Sequence, residues 1–128
     1  MNAAAVLAWF FALHMLGDYV TQNSWMAGNK LANAGVRFVH VLVYSLPFAL
    51  LGYLVPPHSQ LGAFGHSFTV QADLAFVWLF LAVFIPHFLI DSKRFCTSNP
   101  WPMKPIMVDQ TLHAIHLALV FTVFYGQR

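Results

Sequence analysis

A chain of 128 residues that is 59% hydrophobic and only 8% charged lacks the polar side chains to cover a soluble fold of its size, since ordinary soluble domains carry roughly 25% charged residues. The solvent it is built for is lipid, and its length allows one domain. A formal charge of +2 without a basic run leaves no footprint for nucleic acid, and a single cysteine, Cys96, excludes an internal disulfide.

Four apolar stretches have spanning length, given that roughly 17–25 residues cross the hydrocarbon core. They are Ala3–Val20, Val36–Val55, Leu74–Ile90 and Pro105–Tyr125. The first lacks the leading Lys/Arg and the small-residue cleavage site of a secretory signal, so it is expected to be retained. None alternates strictly, which favours helices over barrel strands. Pro47 and Pro86 fall inside spans and each frees the carbonyl four residues earlier, so kinks are expected there. Pro86 directly precedes His87, where it either aims that imidazole or is a tolerated packing kink.

The connections differ in character. Thr21–Gly35 is polar around Trp25 and Met26 and is expected as a short interfacial helix. Residues 56–73 open with Pro56-Pro57, carry no Lys or Arg, and are expected as an outer loop. Ser92–Lys104 is a proline-punctuated turn, and Trp25 and Trp101 suit headgroup depth. Lys30, Arg37, Lys93, Arg94 and Lys104 sit in or beside the first and third connections, against Arg128 alone on the other side. The positive-inside rule places those connections in the cytoplasm and both termini outside.

Ionisable residues break this apolar background with a pattern. His14-x3-Asp18 recurs as His87-x3-Asp91, and His40 follows the first copy at the spacing by which His113 follows the second. One gap-free shift of 73 positions superimposes all three pairs. The expected fold is therefore an all-α integral membrane protein with a single transmembrane domain over 1–128. Its four transmembrane helices form two parallel helix-pair repeats, approximately 3–55 and 74–125, joined by the outer loop 56–73.

On that topology His14, Asp18, His40, His87, Asp91, Asp109, His113 and His116 all fall at the cytoplasmic ends of their helices. His58, His66 and Asp73 fall in the outer connection and are left out. Residues four apart lie on one helix face, so His14/Asp18, His87/Asp91 and Asp109/His113 are each two-pronged donor sets. Imidazole with carboxylate is a usual set for Zn, Mn or Fe, and the absence of clustered cysteines argues against a thiolate site. Eight donors suit one or two divalent ions, with spare groups for orientation and acid–base work. An ionised Asp at mid-span costs about 2.5–3.5 kcal/mol, and a cation would offset that. The alternative is an Asp–His network that holds the bundle together without metal. Asp109 and His116 align with Val36 and Val43, so the second unit is the richer in donors, as expected where one ion is held firmly beside an open position. Asp109 and Asp18, where not ligands, are candidate general bases. Gln22, Lys30, Lys93 and Gln110 flank the set as candidate substrate contacts, with topology or interhelical bonding as their plainer explanation.

The combination His14-x3-Asp18-Tyr19-x2-Gln22-x2-Trp25 with Lys30, then His40, His87-x3-Asp91-x-Lys93 and Asp109-Gln110-x2-His113-x2-His116, resembles a family of short polytopic bacterial and phage membrane proteins of unknown function. The resemblance covers nearly all the chain except the outer connection and implies a membrane location, here the bacterial inner membrane, with no activity to carry over. More loosely, the chain is similar to membrane-bound metal-dependent hydrolases with His and Asp on their helices, a likeness at the level of fold.

The expected function is a metal-dependent hydrolase that acts on a phosphoester or other lipid-linked anionic substrate at the cytoplasmic leaflet. The alternatives are a di-iron lipid oxidase or hydroxylase, whose His-x3-His and His-His pairs are absent here, and a non-enzyme. The latter would be a metal or proton carrier, or an interaction module with a structural metal. A homo-oligomer is compatible with so small a bundle.

Overall fold

The computed structural model describes residues 3–57, 60–63, 66–69, 74–92 and 105–126. Helix α1 (Ala3–Met15) runs without a break into a π-helical segment, Leu16–Val20. Then come a short α2 (Ser24–Asn29), a long α3 (Ala34–Leu54), strands β1 (Gln60–Ala63) and β2 (His66–Thr69), α4 (Ala75–Ile90) and α5 (Pro105–Tyr125).

Three stretches are long and apolar enough to cross a membrane: Ala3–Val20, Ala34–Leu54 and Met107–Tyr125. The fourth expected span is apolar but has only 16 residues as a helix. At 1.5 Å per residue it reaches about 24 Å, short of the ~30 Å hydrocarbon core. The outer connection also departs from the expected loop. Its backbone forms an antiparallel hairpin with Gln60 opposite Thr69 and Ala63 opposite His66. Pairing the strands satisfies backbone groups that a bare loop beside an apolar bundle would leave open.

Helix ends follow from local chemistry. Asn23 caps α2 by accepting from the Met26 N–H, and Asn33 caps α3 by accepting from the Gly35 and Val36 N–H groups. The expected interfacial helix over Thr21–Gly35 is thus a single six-residue piece between two asparagine-marked turns. The widened π turn displaces the carbonyls of its first residues from their usual partners. The polar residues that follow collect them: Thr21 N–H and Oγ1 donate to Leu16 O and Gly17 O, and Gln22 Nε2 donates to Asp18 O.

The bundle is apolar outside and polar within at one end. Leu50, Leu54, Leu89 and Ile115 are each more than half exposed, whereas Asp91, His87 and His113 are completely buried. This distribution is compatible with a membrane protein and opposite to that of a soluble domain. The apolar core occupies the other end, where Phe10 meets the rings of Phe48, Phe121 and Tyr125 edge-on at 5.3–5.9 Å. Tyr125 donates to Val55 O and ties the ends of α5 and α3 together.

Gly17 permits the tightest contact near the polar end. A Cβ there would lie 2.2 Å from Tyr44 Cδ2, so only glycine lets the π segment lie against the Tyr44 ring. Gly28 in α2 has nothing within 4 Å of the same position. Gly17→Ala should therefore lower stability by about 1–3 kcal/mol through overpacking, while Gly28→Ala should change it by no more than roughly 0.5 kcal/mol. Thermal unfolding of both variants in detergent micelles checks this, and equal melting temperatures would refute it.

Candidate metal centre

The π segment, α3, α4 and α5 each bring ligand-type side chains to the polar end. Asp18 comes from the π segment, His40 from the second turn of α3, His87 from the last turn of α4 and Asp91 from its C-cap, and His113 from α5. All five are buried. Their tips converge: His40 Nε2 lies 3.3 Å from Asp18 Oδ1 and 3.2 Å from Asp91 Oδ2, and His87 Nε2 lies 3.6 and 3.4 Å from the same two atoms. The two Nε2 atoms are 3.4 Å apart. His113 Nε2 lies 3.4 Å from Asp91 Oδ1 and 4.0 Å from Asp18 Oδ2.

These separations have a specific meaning. An ion held tetrahedrally at 2.0–2.2 Å sets neighbouring ligand atoms roughly 3.3–3.6 Å apart, whereas charge-assisted N–H···O bonds close to about 2.7–2.9 Å. The contacts among Asp18, Asp91, His40 and His87, at 3.2–3.6 Å, fall mainly in the first range. Neither buried Asp18 oxygen makes a well-formed hydrogen bond; their neighbours are imidazole nitrogens at 3.3–4.0 Å, and a cation among these groups would complete the carboxylate. The residues could therefore hold a metal ion.

Two sets of three could hold an ion, Asp18/His40/His87 and His87/Asp91/His113, each with ligand atoms within 4.8 Å of one another. They share His87, whose Nε2 has one lone pair and can serve only one ion at a time. The two sets therefore could not both be filled through that nitrogen, and each has a carboxylate of its own, Asp18 in the first and Asp91 in the second. The His87 ring packs against two others: the Tyr44 ring lies tilted by 33° at 3.8 Å, and the His113 ring stacks at 4.2 Å. Burial by itself would raise the Asp91 carboxyl, but the His113, His40 and His87 imidazoles beside it outweigh that and hold it well below the usual carboxylate range.

The remaining sequence-predicted residues take other places. His14 lies outside the two sets, with Nε2 donating to Gln110 Oε1 at 3.0 Å and Nδ1 accepting from Tyr44 O–H at 2.9 Å. That orientation of the Gln110 amide is supported by its nitrogen, which donates to Asp109 Oδ2. Gln110 thus bridges two site residues. Asp109 sits at the edge, 3.5 Å from His113 Nε2 and partly open to solvent. Gln22 turns to the Asp18 backbone. Lys30 is buried at the end of α2, with Nζ 2.9 Å from Asp91 Oδ2 and 3.4 Å from His40 Nε2. Arg37 steadies this segment, donating to Lys30 O and Leu31 O while its guanidinium lies 4.6 Å over the Phe88 ring. Lys93 lies outside the described residues.

His116 has a backbone partner. Its Nε2 donates to Ala82 O at 2.8 Å. Ala82 is four residues before Pro86, the residue whose missing N–H frees that carbonyl. His116 thus replaces the helix hydrogen bond that Pro86 removes. Sequence reasoning found the proline and the histidine separately and missed their connection. It also missed Tyr44, which reads as one more aromatic in a span but touches His14, His87 and Gly17 at once.

A helical protein of membrane-spanning composition, with a buried His/Asp cluster able to hold a metal, is the class that fold and site define. The sequence matches the family described as "Protein of unknown function (DUF3307)" over residues 6–127, and the chain belongs to that family. No curated protein and no solved structure matches it.

The backbone role of His116 predicts a coupling. His116→Ala should cost about 1–3 kcal/mol by leaving Ala82 O buried and unpaired. In a Pro86→Ala background, where residue 86 can donate to that carbonyl, the cost should fall by at least half. A double-mutant cycle measured by chemical unfolding gives the coupling, and additive losses would reject it.

Proposed function

We propose that the protein is a metal-dependent hydrolase of the bacterial inner membrane, with its site at the cytoplasmic leaflet and a phosphoester or other lipid-linked anion as substrate. The observation that carries this reading is the convergence of buried Asp18, Asp91, His40 and His87 at ligand-to-ligand distances. Within it, the bound ion would polarise the scissile group and acidify a water. Asp109, partly exposed beside His113, would take the proton as general base. The Lys30 ammonium, already at the ligand cluster, would meet the anionic group. Asp18, lined up with two imidazoles, is better placed as a ligand than as a base.

The proposal includes the arrangement of four spans as two parallel helix pairs, with both termini outside. Burial supports the repeat: under the shift of 73, Val6 and Leu79, Phe10 and Val83, and Tyr44 and Leu117 are buried in both units, as are the three ionisable pairs. For α4 to span, its 16 helical residues must be extended at the ends or met by a locally thinned bilayer.

Protein purified without chelator should carry one or two Zn, Mn or Fe ions per chain by elemental analysis. Asp91→Ala should weaken metal binding by at least about 100-fold. Asp109→Asn should keep the metal and lose roughly 100-fold or more in turnover of a lipid phosphoester. Native protein free of transition metal would overturn the reading. Bound iron with a visible absorbance would replace it with the oxidase, and retained metal without turnover on phospholipid or polyprenyl phosphate would replace it with a structural or transport role.

A further inference from the structure

The shortest contact to either buried carboxylate, among the described residues, comes from a cation that the chain itself supplies. Lys30 Nζ lies 2.9 Å from Asp91 Oδ2, within the range of a charge-assisted hydrogen bond. The imidazole nitrogens stand further from the Asp18 and Asp91 carboxylates, at 3.2–4.0 Å. Lys30 is also held from behind. It caps the end of α2, Asn33 caps the start of α3, and Arg37 donates to Lys30 O and Leu31 O. The ammonium is thus a fixed part of the cluster, placed by the turn between α2 and α3.

Asp91 divides the cluster into two sides. Its Oδ2 faces His40 and His87 Nε2 at 3.2 and 3.4 Å, and Asp18 Oδ1 faces the same nitrogens at 3.3 and 3.6 Å. These contacts have the spacing of ligands around one tetrahedral ion. A carboxylate oxygen has two lone pairs, so Oδ2 can serve that ion and still accept from Lys30. The other oxygen, Oδ1, lies 3.4 Å from His113 Nε2, which in turn is 3.5 Å from Asp109 Oδ1. Two carboxylates around one imidazole make a second donor set that needs no share of His87.

Charge decides how many ions enter. With neutral imidazoles, Asp18, Asp91 and Asp109 bring three negative charges to the cluster. One divalent ion and the Lys30 ammonium balance all three. A second divalent ion would leave two positive charges in excess, and a proton on His113 would add to them. Uncompensated charge in a buried site is costly. We infer that the centre holds a single divalent ion, among Asp18, His40, His87 and Asp91. Lys30 supplies the positive charge that a second ion, on the Asp91/His113/Asp109 side, would otherwise bring. Single-ion occupancy rests on the metal reading above and is independent of hydrolysis. Two-ion centres clamp the attacking and leaving oxygens with a metal each; here an ammonium would hold one end.

Mn2+ titration of chelator-stripped protein in detergent, read by elemental analysis after desalting and by EPR, tests this. Wild-type protein should retain one Mn2+ per chain and give the hyperfine-resolved spectrum of an isolated ion. Lys30→Met, which leaves Asp91 without its ammonium, should retain two, with lines broadened by exchange between neighbouring ions. Lys30→Arg keeps the charge and should retain one. Lys30→Met combined with Asp109→Asn, which removes a donor of the second position, should return to one. Thermal unfolding of every variant separates altered stoichiometry from lost fold, and Lys30→Gln serves if Lys30→Met does not fold. Two ions on wild-type or Lys30→Arg protein, or one ion on the folded neutral variants, would overturn single-ion occupancy set by Lys30 and leave the metal reading intact. Wild-type protein that binds no Mn2+, Zn2+ or Fe2+ would instead sink the metal reading, and this inference with it.

Discussion

Two buried carboxylates set the terms for the polar end of this bundle. Asp18 and Asp91 sit where water cannot reach them, and an uncompensated charge in such a place costs several kcal/mol. Compensation has to come from every side. Imidazoles arrive from α3, α4 and α5, and the only buried ammonium, among the described residues, arrives from the end of α2. Packing of the helices and placement of the charges are therefore one problem. Moving any helix by a fraction of an ångström changes the solvation of the carboxylates as well as the contacts of the core.

The backbone is irregular close to these charges, and each irregularity has a named repair. The π turn swings Asp18 inward and shifts carbonyls that Thr21 and Gln22 collect. Pro86 frees Ala82 O, and His116 reaches across from α5 to take it. In hydrocarbon no water is available for such repairs, so side chains or neighbouring helices must provide them. Some polar residues near the cluster therefore belong to the backbone's accounts rather than to the ligand set.

Helix positions and the polar end were legible because both rest on simple periodicities. Apolar runs mark spans, and a spacing of four puts His87 and Asp91 on one face. What was not legible depended on partners distant in sequence. Nothing local to Tyr44 says that its hydroxyl meets His14 or that its ring covers His87. Nothing in Leu16–Val20 announces a π turn, since the widened turn is fixed by the fit of Gly17 against that same ring. The Lys30 contact depends on Arg37 and the turn between α2 and α3, geometry that a charge count cannot supply. Pro86 and His116 are the intermediate case. The proline identifies the carbonyl it orphans, and a histidine on a neighbouring span is a natural donor, yet pairing them requires the register of α4 against α5.

On the proposed repeat, the two helix pairs differ for structural reasons. By sequence, the extra donors of the second unit suggest a firm ion beside an open position. His116, however, has no counterpart because Pro86 has none: the aligned residues are Val43 and Leu13, and where no proline breaks the helix no repair is needed. Tyr44 aligns with Leu117, so the ring that orders His14 and His87 belongs to the first unit alone. On the proposed repeat, one helix pair supports the cluster through a ring and a glycine, the other through a proline and a histidine. Asp109, opposite Val36 in the alignment, lies partly open beside His113 and accepts from the Gln110 amide, so the second helix pair adds a carboxylate at the edge of the cluster.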